Sequence, residues 1–143
     1  MIRKTASAHW TGTIKDGQGH ISTQSGALSD QPYGFNTRFE DAPGTNPEEL
    51  IGAAHAGCFT MALSKILQEQ AGVVADELST EATVKMEKDG DGFTITGVDL
   101  HLKAKIPGVD EEAFFEAAKT AKENCPVSRL LAAADITLDA ELV

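Results

Sequence analysis

Two thiols and one imidazole are the side chains in this sequence whose types and spacing first suggest chemistry. Cys58 and Cys125 are the only cysteines, and His55 precedes Cys58 by three residues. A thiolate is a nucleophile, a metal ligand or half of a disulfide. The 67-residue separation fits no Cys-x-x-Cys redox motif, and the four scattered histidines complete no zinc pattern. In a reducing compartment a structural disulfide is unusual, which leaves inert buried thiols or a transient, catalytic pairing. On a helix, His55 shares a face with Cys58 and can serve as its base. No third group is visible to orient such a pair, so a hydrogen-bonded core histidine is the preferred reading.

Cys58 must be positioned by the stretch from Gly44 to Gly72. Asn46 is a suitable cap, Pro47 suits the first helical position, and Glu49 sits where a capping-box acid reaches back. From Leu50 to Leu67 nearly every angle is apolar or small, which predicts a buried central helix. The run is at the short limit of about 18 residues for a membrane span and contains Gly, His, Thr, Ser and Lys, so no membrane partner is expected.

The rest of the chain reads as α+β with antiparallel sheets. Ala6, Ala8 and Trp10 alternate with polar neighbours, and Lys15-Asp16-Gly17 turns the chain into a strand over 19–23. Residues 32–40, if extended, place Tyr33, Phe35 and Phe39 on one face. A strand from Leu78 to Glu87 turns at Asp89-Gly90-Asp91-Gly92 into a return strand whose apolar parity changes at Gly97, the signature of a bulge. Asp110-Glu111-Glu112 opens a second helix with a stripe of Phe114, Ala118, Ala121 and Cys125. Cys125-Pro126 breaks it and caps a short helix through Leu131, before a final strand through Ile136, Leu138, Ala140 and Leu142.

Composition bounds the function. The 143 residues, 41% hydrophobic, suit a single domain over 1–143 with a real core. Twelve basic residues against 22 acidic leave a formal charge of −10, which disfavours nucleic acid and anionic membrane surfaces and favours a neutral or apolar substrate. Residues 1–10 lack the apolar core of a signal peptide, so a cytoplasmic location is expected.

The run GTNPEELIGAAHAGCFTMALS, the upstream QPYGFNTRFE and the downstream CPVS followed by ITLDAEL resemble the osmotically inducible protein C (OsmC) family, close relatives of the organic hydroperoxide resistance (Ohr) proteins. The resemblance covers essentially the whole chain. It implies a thiol-dependent peroxidase acting on organic hydroperoxides in oxidative or osmotic stress, built as an intertwined homodimer with sites at the subunit interface. Cys58 would be the peroxidatic cysteine and Cys125 the resolving one, joined in an intramolecular disulfide during turnover. Arg38 would be the activating arginine and Glu49 its acidic partner. No metal, haem or flavin is implied; an external dithiol, in related proteins a dihydrolipoyl group, would recycle the enzyme.

Chemistry sets a condition on that assignment. Free cysteine has a pKa of about 8.5, so thiolate is scarce at pH 7. Cys58 lies in mid-helix where the dipole gives little and burial opposes ionisation, whereas Cys125 sits at a helix N-terminus. A cation must therefore reach Cys58, and Arg38, fixed by Glu49, is the candidate. Glu49 and Cys58 are nine residues apart, about 13 Å along the helix and on roughly opposite faces, so the acid is expected from the partner subunit. Two other classes fit the same residues: a disulfide redox sensor, and a noncatalytic module whose apolar helix lines a ligand pocket.

Overall fold

The structure, a computed structural model, describes all 143 residues and divides into two compact units, Met1–Leu50 and Ile51–Val143. In the first, β1 (Ala6–Thr11), β2 (Gln18–Thr23) and β3 (Gln31–Tyr33) form an antiparallel sheet in that order. The hairpin falls where the Lys15-Asp16-Gly17 turn places it. Gly19 lies opposite both Trp10 and Tyr33, and a Cβ there would come within 2.3 Å of the tyrosine ring and 2.6 Å of the indole. Only glycine lets those two rings approach to 5.6 Å over the sheet.

The segment read as extended after Tyr33 is instead a helical turn, α1 (Phe35–Phe39). Phe35 and Phe39 share parity in a strand, but they are also four apart, and on the helix their rings stack at 4.9 Å. The turn is closed locally: Gly34 N–H donates to Thr37 Oγ1 at 2.8 Å, and the threonine hydroxyl donates back to Gly34 O at 3.1 Å.

α2 (Pro47–Ile66) begins in the first unit and continues through the second as the expected long helix. A π-helical turn (Leu67–Ala71) follows it and ends at Gly72, whose φ of 65° is the left-handed terminator. Pro47–Ala71 is long and apolar enough by composition to cross a membrane, yet Phe59, Leu63 and Leu67 are fully buried in the core. The helix lies against β4 (Glu77–Asp89): a Cβ on Gly52 would meet Val84 at 3.5 Å, and Thr60 Oγ1 donates to Thr80 Oγ1 at 2.7 Å.

β4 pairs with β5 (Gly92–Lys105) through a register shift at Lys85/Met86, where Gly97 opposes Lys85 and Ile95 opposes Met86. The expected bulge is there, and beyond it Val98, Leu100, Leu102 and Ala104 are buried in strict alternation. α3 (Glu111–Asn124) starts on Asp110, which accepts from Ala113 N–H, and buries Phe114, Ala118 and Ala121. After α4 (Pro126–Leu130), β6 (Asp135–Leu142) returns beside β5. That last pair is parallel, unlike the all-antiparallel expectation. With two helices between the strands the chain re-enters from the same end, as in any β-α-β crossover.

Within one chain α2 is not buried all round. Gly52, His55, Phe59 and Leu63 form its buried stripe, while Ala53, Ala54, Gly57 and Met61 remain exposed. Helix apolarity on every side is accounted for by this chain only in part.

Candidate active site

The first turn of α2 positions the charged candidates. Glu49 N–H donates to Asn46 Oδ1 at 2.9 Å, and Asn46 Nδ2 donates back to Glu49 Oε2 and to Thr37 O. Glu49 is thus engaged in the capping box. The neighbouring acid, Glu48, holds the arginine: Arg38 Nη2 donates to Glu48 Oε1 at 2.6 Å, and Nε donates to Oε1 at 3.0 Å and Oε2 at 3.2 Å. This two-nitrogen fork is the geometry arginine makes with a carboxylate. The Glu48 side chain is only 14% exposed against 38% for Arg38, so the pair is anchored on its acidic side. Sequence reasoning passed over Glu48 because two adjacent acids were available and only one had a capping role. Ten residues separate Glu48 from Cys58, about 15 Å along the helix axis and about 80° around it, so along the helix this acid stands no nearer the thiol than Glu49 does.

The two cysteines are brought together in the second unit. Cys58 is partly buried on α2, and Cys125 is buried at the start of α4. Burial pushes the Cys58 thiol above its ordinary pKa; the Val127 N–H pulls it down, and the Cys125 sulfur adds to the rise by hydrogen bonding and like charge. Both sulfurs line a cleft of about 580 Å³ with Met61, Ala62, Ile66, Pro126, Thr120, Asn124, Lys65 and Glu69. The lining is mostly apolar. Phe59, one residue around the helix from Cys58, does not line the cleft and is fully buried on the stripe that faces the sheet. Phe35 and Phe39 belong to the first unit and stack on each other.

Cys125 is the last member of the α3 stripe and also the cap of α4. Its backbone N–H closes α3 on Ala121 O, while its sulfur accepts from Ser128 N–H at 3.3 Å. Proline at the first position of α4 gives up no bond, so the short helix starts at once behind the thiol. His55 is a buried, hydrogen-bonded core histidine: Nε2 lies 2.7 Å from Ser128 Oγ, and burial lowers its pKa. Ser128 was not singled out in the sequence. Its signal is its place three residues after a capping residue, where capping-box side chains stand.

The profile of the OsmC-like protein family matches residues 39–141. Peroxiredoxin OsmC of Escherichia coli (strain K12) is 52% identical over 141 residues, covering 99% of this chain and 97% of the relative. Organic hydroperoxide resistance protein OhrB of Bacillus subtilis (strain 168) is 33% identical over 111 residues, 78% of this chain and 79% of the relative. The crystal structure of Bacillus subtilis OhrB matches with a TM-score of 0.67 at 30% identity, covering 97% of this chain and 98% of that one.

Proposed function

Starting from the fact that the chain belongs to the OsmC family, we infer that it is a cysteine-based peroxidase that reduces organic hydroperoxides to alcohols. The observation that carries this reading is that Cys58 and Cys125, the chain's two thiols, line one mostly apolar cleft. Cys58 attacks the distal peroxide oxygen, the alcohol leaves, and the sulfenic acid condenses with Cys125 to a disulfide that an external reductant reopens. Cys58, the more accessible of the two sulfurs, takes the peroxidatic role, and Cys125, held by Ser128, the resolving one. The family resemblance names Arg38 as the cation that the raised pKa of Cys58 calls for, and Glu48, found on its guanidinium, is proposed for the orienting role that the resemblance gave to Glu49.

The reading includes a homodimer. A helix face of Ala53, Ala54, Gly57 and Met61, with Met61 77% exposed, is what a second copy would cover, since small residues let helices approach closely. It also includes a dithiol such as a dihydrolipoyl group as reductant and the cytoplasm as compartment, where thiols stay reduced. Counting thiols after equimolar cumene hydroperoxide, and again with excess dithiol over many cycles, tests the enzyme against its rivals. Rapid loss with repeated turnover is the expected result. Loss without turnover would mean a redox sensor, and no loss a binding module.

A further inference from the structure

Ser128 and His55 are the two side chains at Cys125 that this chemistry leaves unused. Cys125 Sγ–H donates to Ser128 Oγ at 3.1 Å, and Ser128 Oγ lies 2.7 Å from His55 Nε2, so a thiol, a hydroxyl and an imidazole form one line. The line joins α4 to α2 across 73 residues of sequence. Capping does not explain it. The cap of α4 needs only the Ser128 N–H on the Cys125 sulfur, and that contact is separately present at 3.3 Å.

Burying an imidazole is costly unless its polar atoms are paired, and this one is fully buried with Nδ1 unpartnered. Its single polar contact is the serine that touches the thiol. Burial lowers the His55 pKa and so favours the neutral ring, and in the tautomer that carries its proton on Nδ1 the Nε2 lone pair faces the serine hydroxyl as an acceptor. The arrangement has the parts of a nucleophile with a base behind it, separated by one hydroxyl.

We propose that Ser128 and His55 form the proton relay that activates Cys125 for attack on oxidised Cys58. The proposal rests on the peroxidase reading and assigns its second step. As Cys125 Sγ gives its proton to Ser128 Oγ, the serine's own proton passes to His55 Nε2. The freed sulfur lone pair attacks the Cys58 sulfenic sulfur; the S–S bond forms, the S–O bond breaks, and hydroxide leaves with the bonding pair. That hydroxide takes up the proton returned from His55 through Ser128 and departs as water. Cys125 is oxidised from thiol to disulfide as Cys58 is reduced from sulfenic acid to disulfide, so the peroxide already consumed is the only oxidant. Ser128 touches a reacting atom, while His55 works through it as a positioning residue.

The relay is tested by resolving the two steps in the full-length protein with stoichiometric cumene hydroperoxide, following peroxide loss and disulfide formation separately. Ser128→Ala and His55→Gln are expected to consume peroxide as the parent does but to close the disulfide about 100-fold more slowly, the scale of general-base catalysis, with a trappable sulfenic acid in the interval. Ser128→Thr, which keeps the hydroxyl, is expected to restore most of the rate. If the alanine variant does not fold, His55→Gln and Ser128→Thr carry the comparison. Disulfide closure at the parental rate in His55→Gln overturns the relay, as does an equal slowing of both steps, which is what a purely structural role produces. A parent protein that consumes no peroxide overturns the peroxidase reading itself, and the relay with it.

Discussion

Asn46-Pro47-Glu48-Glu49 at the start of α2 and Cys125-Pro126-Val127-Ser128 at the start of α4 follow one plan. Each places an accepting side chain at the cap, proline at the first helical position, and at the third a residue whose N–H donates to the cap and whose side chain meets it again. Their surroundings differ. Glu49 is exposed, whereas Cys125 and Ser128 are 1% and 3% exposed. In water such a turn stabilises its helix by about 1 kcal/mol. Buried, the same turn fixes the partners of a thiol, because no solvent competes for them. Even the second position is used differently: Glu48 offers a carboxylate to Arg38, and Val127 offers a backbone N–H to Cys58. Burial thus converts a capping turn into reactive machinery.

The largest effects are expected where the thiols are removed. Cys58→Ser should lose all peroxide consumption. Cys125→Ser should consume one equivalent per subunit and then stop as a sulfenic acid, because oxidation needs one sulfur and closure needs two. Equal single-turnover consumption by both variants would reverse the roles of the two cysteines and with them the contrast between the helix starts.

The charged turn should matter next. Burial raises the Cys58 pKa, so the rate of peroxide loss should climb with pH through neutrality and level off only above that raised value. Arg38→Met should move the profile further up and slow the reaction at pH 7 by about 10- to 100-fold, the loss expected when an opposite charge worth one to two pKa units is removed. Glu48→Gln should act in the same direction but less, since the arginine keeps its charge and loses only its anchor. An unchanged profile in Arg38→Met would leave Lys65, which lines the cleft, as the cation to examine.

Much of this was legible in the sequence where one local rule decided the outcome. The phase change at Gly97 required a bulge, and the spacing of Phe114, Ala118, Ala121 and Cys125 allowed only one helix face toward the core. Phe35 and Phe39 were misread because positions four apart satisfy strand parity and helix periodicity alike; the Gly34–Thr37 bonds that choose the helix are tertiary detail. α2, apolar on every side, carried no signal for which stripe meets β4. The direction of β6 depends on where α3 and α4 deliver the chain, which no strand pattern encodes. At the site, Cys58 and Cys125 were visible as residue types, while Glu48 and Ser128 emerged only from the positions of their partners, Arg38 and His55.

The smallest expected effect separates the two acids of α2. Glu49 accepts from the Asn46 side chain in an exposed capping turn, so Glu49→Ala removes a helix-terminal contact and one favourable charge near the positive end of the dipole. The loss should be about 1 kcal/mol, a fall in melting temperature of roughly 3 °C for a chain of this size, with peroxide loss at Cys58 close to that of the parent. Asn46→Ala should give the same signature, because it breaks the same box from the other side. If Glu49→Ala instead slows peroxide loss more than Glu48→Gln does, the orienting acid is the one the family resemblance named, and the exposed turn is as much a part of the site as the buried one.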